Sequence, residues 1–363
     1  MRANTSETIL GIQFLRGLAA LAVVFHHLLE ESIILFQHGT IPRSLIVSGA
    51  SGVDLFFVIS GFIMLYTSEH RFGRSGTAAD FAVRRIIRIV PLYWLCTLAI
   101  VAFALTGIFY KNKIITADYI VSSLFFMPTD GLILGVGWTL QYEMYFYLIF
   151  TLCLLFGTAR LTIFALPLVL SAMIGLSQLL PASPAQRFFA SPLALEFAFG
   201  LWLAYGFSRG RLPKLGPVTA AVLGVTIIAM SSMLVPSHDT AGLSGSMRFL
   251  LWGVPASMLV YASLFIAKIE GPVGRMLYLI GKASYSIYLT HDIVMTCYAK
   301  LIKTESVSRL LPAAIWMALA AGAAIAVGLL SYKLIEHPVN EWLKRRWKAR
   351  GQKPAAYQTP ASV

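Results

Sequence analysis

The stretch Gly11-Ile12-Gln13-Phe14-Leu15-Arg16-Gly17-Leu18-Ala19-Ala20-Leu21-Ala22-Val23-Val24-Phe25-His26-His27-Leu28-Leu29 is an apolar run broken by one guanidinium and a pair of imidazoles. Its length is close to the roughly 20 residues that carry an α-helix across a bilayer. From Arg16 to His27 the chain advances eleven residues, which at about 100° each end some 20° past three full turns. The two side chains therefore share a face, with roughly 16 Å of rise between them. A guanidinium turned to lipid at that depth costs at least about 2.5 kcal/mol, so this face is expected to look onto protein or a water-filled cavity. His26 points about 80° away from the Arg16 direction and is the poorer partner, although the doubled His26-His27 leaves open which imidazole acts.

The rest of the chain extends this reading. Of its 363 residues, 58% are hydrophobic and 12% charged, and the mean hydropathy of +0.75 is that of an integral membrane protein. Arg16 interrupts the segment where a signal peptide needs an unbroken apolar core, so the first helix is expected to be retained. Cys96, Cys153 and Cys297 each lie in an apolar run and read as small buried hydrophobes, not as a disulfide or metal framework.

Apolar stretches near 20 residues predict ten helices, at about 11–29, 52–68, 90–110, 138–157, 160–180, 192–207, 216–235, 248–268, 276–300 and 311–332. The fold class expected is an all-α polytopic bundle over residues 1–340, followed by a basic, disordered cytoplasmic tail, 341–363. The net charge of +13 is concentrated in alternate connections: with the N-terminus inside, nineteen Lys and Arg fall on the cytoplasmic side and eight opposite, leaving Arg16 and Lys282 in the membrane. That bias places both termini in the cytoplasm and makes the charge a marker of topology and lipid contact, not of nucleic acid. Tyr119 to Met127, ended by Pro128, is too short to span and is expected to lie at the interface or re-enter.

Placed by depth, the intramembrane polar groups form two layers. Towards the outside lie His27, Asp54, Glu143, Glu196, His291 and Asp292, with Ser284, Tyr288 and His291 on one helix face at i, i+4 and i+7. Towards the inside lie Arg16, Arg85, Arg88 and Lys282. A histidine beside a carboxylate is a usable general base, because the carboxylate sets the tautomer and stabilises the imidazolium. Clustered Arg and Lys at a membrane mouth suit a polyphosphate. Simpler roles compete: Arg85 and Arg88 also satisfy the positive-inside rule, Asp54 an N-cap, Glu196 a helix dipole, and the Ser and Tyr residues helix packing.

At these residues the chain resembles the membrane-bound acyltransferase 3 family. The resemblance is carried by Phe14-Leu15-Arg16-Gly17 through His27, Gly52-Val53-Asp54-Leu55-Phe56-Phe57-Val58-Ile59-Ser60-Gly61-Phe62, and Arg84-Arg85-Ile86-Ile87-Arg88-Ile89-Val90-Pro91. Trp138-Thr139-Leu140-Gln141-Tyr142-Glu143 with Phe146-Tyr147, Ser284 to His291, and Glu336-His337-Pro338 complete an ordered series over most of the length. The resemblance implies a ten-helix enzyme of the bacterial cytoplasmic membrane that takes an acyl group, usually acetyl, from cytoplasmic acyl-CoA and places it on a hydroxyl of a cell-surface or lipid-linked glycan. It further implies Arg16 and His27 as the essential pair, Arg85 and Arg88 on the donor side, and the standalone exopolysaccharide-modifying branch.

The catalytic set expected is thus His27, Arg16, Asp54, Glu143 and His291, and the donor set Arg16, Arg85, Arg88 and Lys282. His27, oriented by Asp54 or Glu143, would deprotonate the sugar for direct attack on the thioester, with a covalent acyl-histidine as the other route. No metal is expected. Partners expected are acyl-CoA, the glycan acceptor and membrane lipid, with a second copy of the chain left open. A transporter or flippase of lipid-linked sugars is the competing reading, weakened by the lack of an internal repeat.

Overall fold

In a computed structural model the described residues are 5–33, 41–107, 115–235, 243, 245–266 and 269–351. The chain is 83% helical and has no strand among the described residues. In order it forms α1 (Thr5–Ser32), α2 (Arg43–Ser48), α3 (Gly52–Ser68), α4 (Thr77–Leu105), α5 (Ala117–Leu124), α6 (Trp138–Phe156), α7 (Ala159–Ser177), α8 (Pro184–Phe189) and α9 (Glu196–Ser208). These are followed by α10 (Pro217–Ser231), α11 (Gly245–Arg248), α12 (Val254–Ser263), α13 (Gly271–Lys282), α14 (Ser284–Ile302), α15 (Glu305–Ser308), α16 (Ala313–Ser331) and α17 (His337–Gly351).

Among the described residues, eight helical spans are long and apolar enough to cross a membrane, and the molecule is an all-α polytopic membrane bundle. Each of the ten predicted stretches falls on a helix, but the stretches at 248–268 and 276–300 are not among those eight. The first is shared between α11, a π-helical turn at Phe249–Gly253 and α12. The second is broken at Ala283 into α13 and α14. Their low hydropathy has a packing cause, clearest in α14: it lies against α1 and α16, and Ser284, Tyr285, Ser286, Tyr288, Thr290 and His291 are all buried. A helix wrapped by other helices can carry polar groups that a lipid-facing one cannot.

Two other boundaries move. The third membrane helix begins at Thr77, so Arg84, Arg85 and Arg88 lie within α4 and not ahead of it. At the other end α16 runs through a π turn, Tyr332–Glu336, into α17. The segment expected as a disordered tail, 341–363, is therefore helical through Gly351, and its remainder lies outside the described residues. The stretch expected at the interface, Tyr119 to Met127, falls largely on the short helix α5, capped by Thr116, whose Oγ1 accepts from the Tyr119 amide at 3.2 Å. Tyr93 and Trp94 of α4 tie it down by donating to the carbonyls of Ser123 and Leu124 at 2.8 and 2.9 Å.

Two close approaches set the frame around the site. A Cβ on Gly61 would stand 2.0 Å from the Phe197 carbonyl, and one on Gly200 2.1 Å from that of Val58, so α3 and α9 meet backbone to backbone as small residues allow. A Cβ on Gly281 would likewise lie 2.0 Å from the Gln13 carbonyl. That contact brings the Lys282 end of α13 beside the turn of α1 that carries Arg16.

Candidate functional site

Arg16 is 8% exposed and donates from Nη2 to Ser284 Oγ at 2.9 Å and from Nη1 to Gln13 Oε1 at 3.3 Å. Both acceptors are neutral, so the positive charge is left to act on whatever enters the space in front of it. That space is a cavity lined by Arg16, Arg85, Arg88, Glu143, Tyr147 and Tyr288, among apolar neighbours from α3. Arg85 rests over the rings of Phe81 and Tyr147, with its guanidinium carbon 5.0 and 5.5 Å from their centroids. Glu143 accepts from Ser60 Oγ at 2.7 Å and from the Tyr147 hydroxyl. Expected in the outer layer with the histidines, Glu143 instead shares the cavity with the arginines.

Arg16, Arg85 and Arg88 also line a second, solvent-open cleft of about 980 Å³, to which Arg84, Lys282 and Lys344 add three cations. All four residues of the expected donor set are thus gathered. The C-terminal helix α17 supplies the missing wall: His337, Asn340 and Lys344 reach the cleft, although the basic tail reads in sequence only as a lipid anchor. Glu336, in the π turn before it, accepts from Ser286 Oγ at 2.5 Å and pins this wall to α14.

Three turns along α1, the His27 ring centroid is 5.3 Å from that of His291 on α14. Since Arg16 meets Ser284 and His27 meets His291, both α1 residues face the same helix, as their spacing predicts. His291 is fully buried; its Nδ1 donates to the Tyr288 carbonyl at 2.6 Å, and its Nε2 finds no partner among the described residues. Tyr288 stands between the histidines and the cavity. Its ring is 5.8 Å from that of His291 and from that of Phe56, and its hydroxyl is held 3.0 Å from both Thr139 Oγ1 and the Val136 carbonyl.

The carboxylate beside His27 is neither of those expected. Glu30 Oε2 lies 3.3 Å from His27 Nδ1, one turn on, because α1 continues past Leu29 to Ser32. Asp54 is engaged elsewhere: Arg248 Nε and Nη2 donate to its two oxygens at 3.0 and 2.9 Å, and Nη2 also to the Ala50 carbonyl at 3.2 Å. Both residues are buried, and Glu196 is buried beside them. Arg248, the first residue of the predicted 248–268 stretch, is a bundle residue because it leads into the π turn that packs on α3. His26 is also committed, its Nδ1 donating to the Ile46 carbonyl at 2.8 Å. His27 and Glu30 remain about one-third exposed.

Comparison with known proteins identifies the family of the chain. Residues 9–333 match the family described as the acyltransferase domain. The exopolysaccharide production protein ExoZ of Rhizobium meliloti is 33% identical over 83% of this chain and 92% of its own. The acyltransferase MdmB of Streptomyces mycarofaciens is 26% identical over 95% of each chain. The peptidoglycan O-acetyltransferase OatA of Listeria monocytogenes is 26% identical over 91% of this chain, which spans 55% of that protein. No solved structure matches. With its helices, its cavity and a match over nearly its whole length, the chain belongs to the acyltransferase 3 family of multi-pass membrane proteins.

Proposed function

We propose that this protein transfers an acyl group, acetyl above all, from cytoplasmic acyl-CoA to a hydroxyl of an extracytoplasmic or lipid-linked polysaccharide in the bacterial inner membrane. The observation that carries the reading is that Arg16, Arg85 and Arg88 line both the basic cleft and the cavity, whose lining includes Tyr288, with His291 and then His27 next to it. Phosphates of the donor bind the cleft through charge-assisted hydrogen bonds from Arg84, Arg85, Arg88 and Lys282. The pantetheine arm follows the cavity past Arg16, and the roughly 16 Å of rise from Arg16 to His27 is the depth the thioester has to cover. Both termini then lie in the cytoplasm, in keeping with the basic residues around the cleft.

At the histidine end, Glu30 accepts the proton on His27 Nδ1 and leaves Nε2 as the base. Nε2 removes the proton of the acceptor hydroxyl, the alkoxide oxygen bonds to the thioester carbonyl, and the carbon–sulfur bond breaks to release the CoA thiolate into the cavity. The thiolate takes up the proton that His27 removed, and CoA withdraws along the cavity towards Arg16, Arg85 and Arg88. Tyr288 and Phe56 form the constriction across which the two substrates meet. The exposure of His27 and Glu30 is what an acceptor arriving from the other side requires.

ExoZ and OatA bear names that concern polysaccharide and peptidoglycan, which favours a glycan acceptor here. The test is release of free CoA thiol from acetyl-CoA by the purified protein in detergent, with and without membrane glycolipid, together with the mass of the glycan formed. Thiol release that depends on acceptor and disappears in His27→Ala supports the reading. Glycan acylation retained in cells carrying only His27→Ala refutes it.

A further inference from the structure

The outer end of α1 carries a second chemical possibility that acyl transfer does not use. His26, His27 and Glu30 occupy i, i+1 and i+4 of one helix, and one ligand atom from each lies within 4.8 Å of the others. The tautomers are favourable. The Nδ1–H of His26 is spent on the Ile46 carbonyl at 2.8 Å, which leaves its Nε2 as a lone pair held in place by a backbone contact of the kind that orients metal-ligating histidines. His27 Nδ1 and Glu30 Oε2 stand 3.3 Å apart. Two ligands about 2.1 Å from a tetrahedral zinc ion are separated by roughly 3.4 Å, so an ion fits where the pair now shares a proton. Two imidazoles and a carboxylate, with a fourth position open to water, make a donor set that zinc accepts. The one-third exposure of His27 and Glu30 gives the ion a way in.

The geometry points to a zinc-class divalent cation binding His26 Nε2, His27 Nδ1 and Glu30 from the extracytoplasmic side and switching the enzyme off. The inhibitory role rests on the reading of His27 as the base. A neutral imidazole carries one proton: with the ion on Nδ1, that proton moves to Nε2 through solvent. His27 then donates at the nitrogen that has to accept the proton of the sugar hydroxyl. No other bond changes, and removing the ion restores the working tautomer.

The experiment uses the full-length protein in detergent with zinc and cobalt(II) chlorides. Cobalt is expected to give the intense visible absorption of a tetrahedral site at one equivalent, displaced by zinc, and zinc is expected to inhibit acyl transfer reversibly on addition of a chelator. His26→Asn is the informative variant, because its side-chain amide can still donate to the Ile46 carbonyl while the Nε2 ligand is lost. It should retain transfer in metal-free buffer, bind cobalt about tenfold or more weakly, and need correspondingly more zinc for inhibition. Absence of a stoichiometric cobalt band, unchanged affinity in His26→Asn, or faster transfer with zinc would each overturn the proposal. If His26→Asn fails to fold, the wild-type cobalt band decides alone. Full transfer by His27→Gln alongside wild-type cobalt binding would overturn the base assignment and the inhibitory role, leaving only the metal site.

Discussion

The two ends of the site are built on opposite plans. At the basic end, cations from α1, α4, α13 and α17 surround a wide open cleft, and no single one of them defines it. At the histidine end, α1 and α14 bring His27, Glu30 and His291 together within a few ångströms, and each has a fixed neighbour. On the proposed mechanism the difference is between donor recognition spread over many charges and chemistry concentrated on one ring. Loss of one contributor should therefore be graded at the first end and close to all-or-none at the second.

The sharpest way to break that contrast is His27→Ala, which should lower kcat by about 10²- to 10⁴-fold while the protein remains folded and in the membrane. A steady-state assay showing less than a tenfold loss would put the chemistry elsewhere. Next is Arg248→Ala, which strands Asp54 in the bundle and should cost about 3–5 kcal/mol of stability. This is read as a fall in the detergent melting temperature. A larger loss of kcat than of stability would show that the Asp54–Arg248 pair belongs to the histidine end after all.

Arg88→Ala should raise KM for the donor by about 10- to 100-fold, the worth of one charged hydrogen bond, with kcat changed far less. An equal fall in kcat would dissolve the distinction between the two ends. The smallest effect is expected for Lys344→Ala, at the rim, where an exposed charge is worth about 0.2–1 kcal/mol. Donor KM should rise about two- to fivefold, and less at high salt. A salt-independent change would instead mean that α17 has shifted.

What the sequence reveals about this molecule follows the range of its interactions. The ten helical stretches and the common face of Arg16 and His27 rest on length, hydropathy and a local angle, and each has its counterpart in the structure. The gathering of Arg16, Arg85, Arg88 and Lys282 also follows, because charges excluded from lipid collect at one depth. Partner choice does not follow from depth. Asp54 and Glu143 lie on helices that allowed either to reach His27, but Asp54 meets Arg248 across the bundle, 194 residues away in the chain. Nothing local in Arg248 announces that pairing. Glu30 was legible, three residues from His27, and is missed only because the apolar run ends at Leu29 while the helix continues. The α17 wall is hidden for the opposite reason: a basic amphipathic stretch satisfies the rules for a membrane surface equally well.

Because α17 extends α16 through a π turn without a break, the wall of the basic cleft is one end of a rod embedded in the bilayer, and Ser286 and Glu336 clamp it near its middle. Were that rod to tilt about the clamp, Lys344 would move across the mouth of the cleft while the other end moved in the opposite leaflet. Bilayer thickness would then be a variable of substrate capture, and the expected outcome is a donor KM that differs between thinner and thicker membranes.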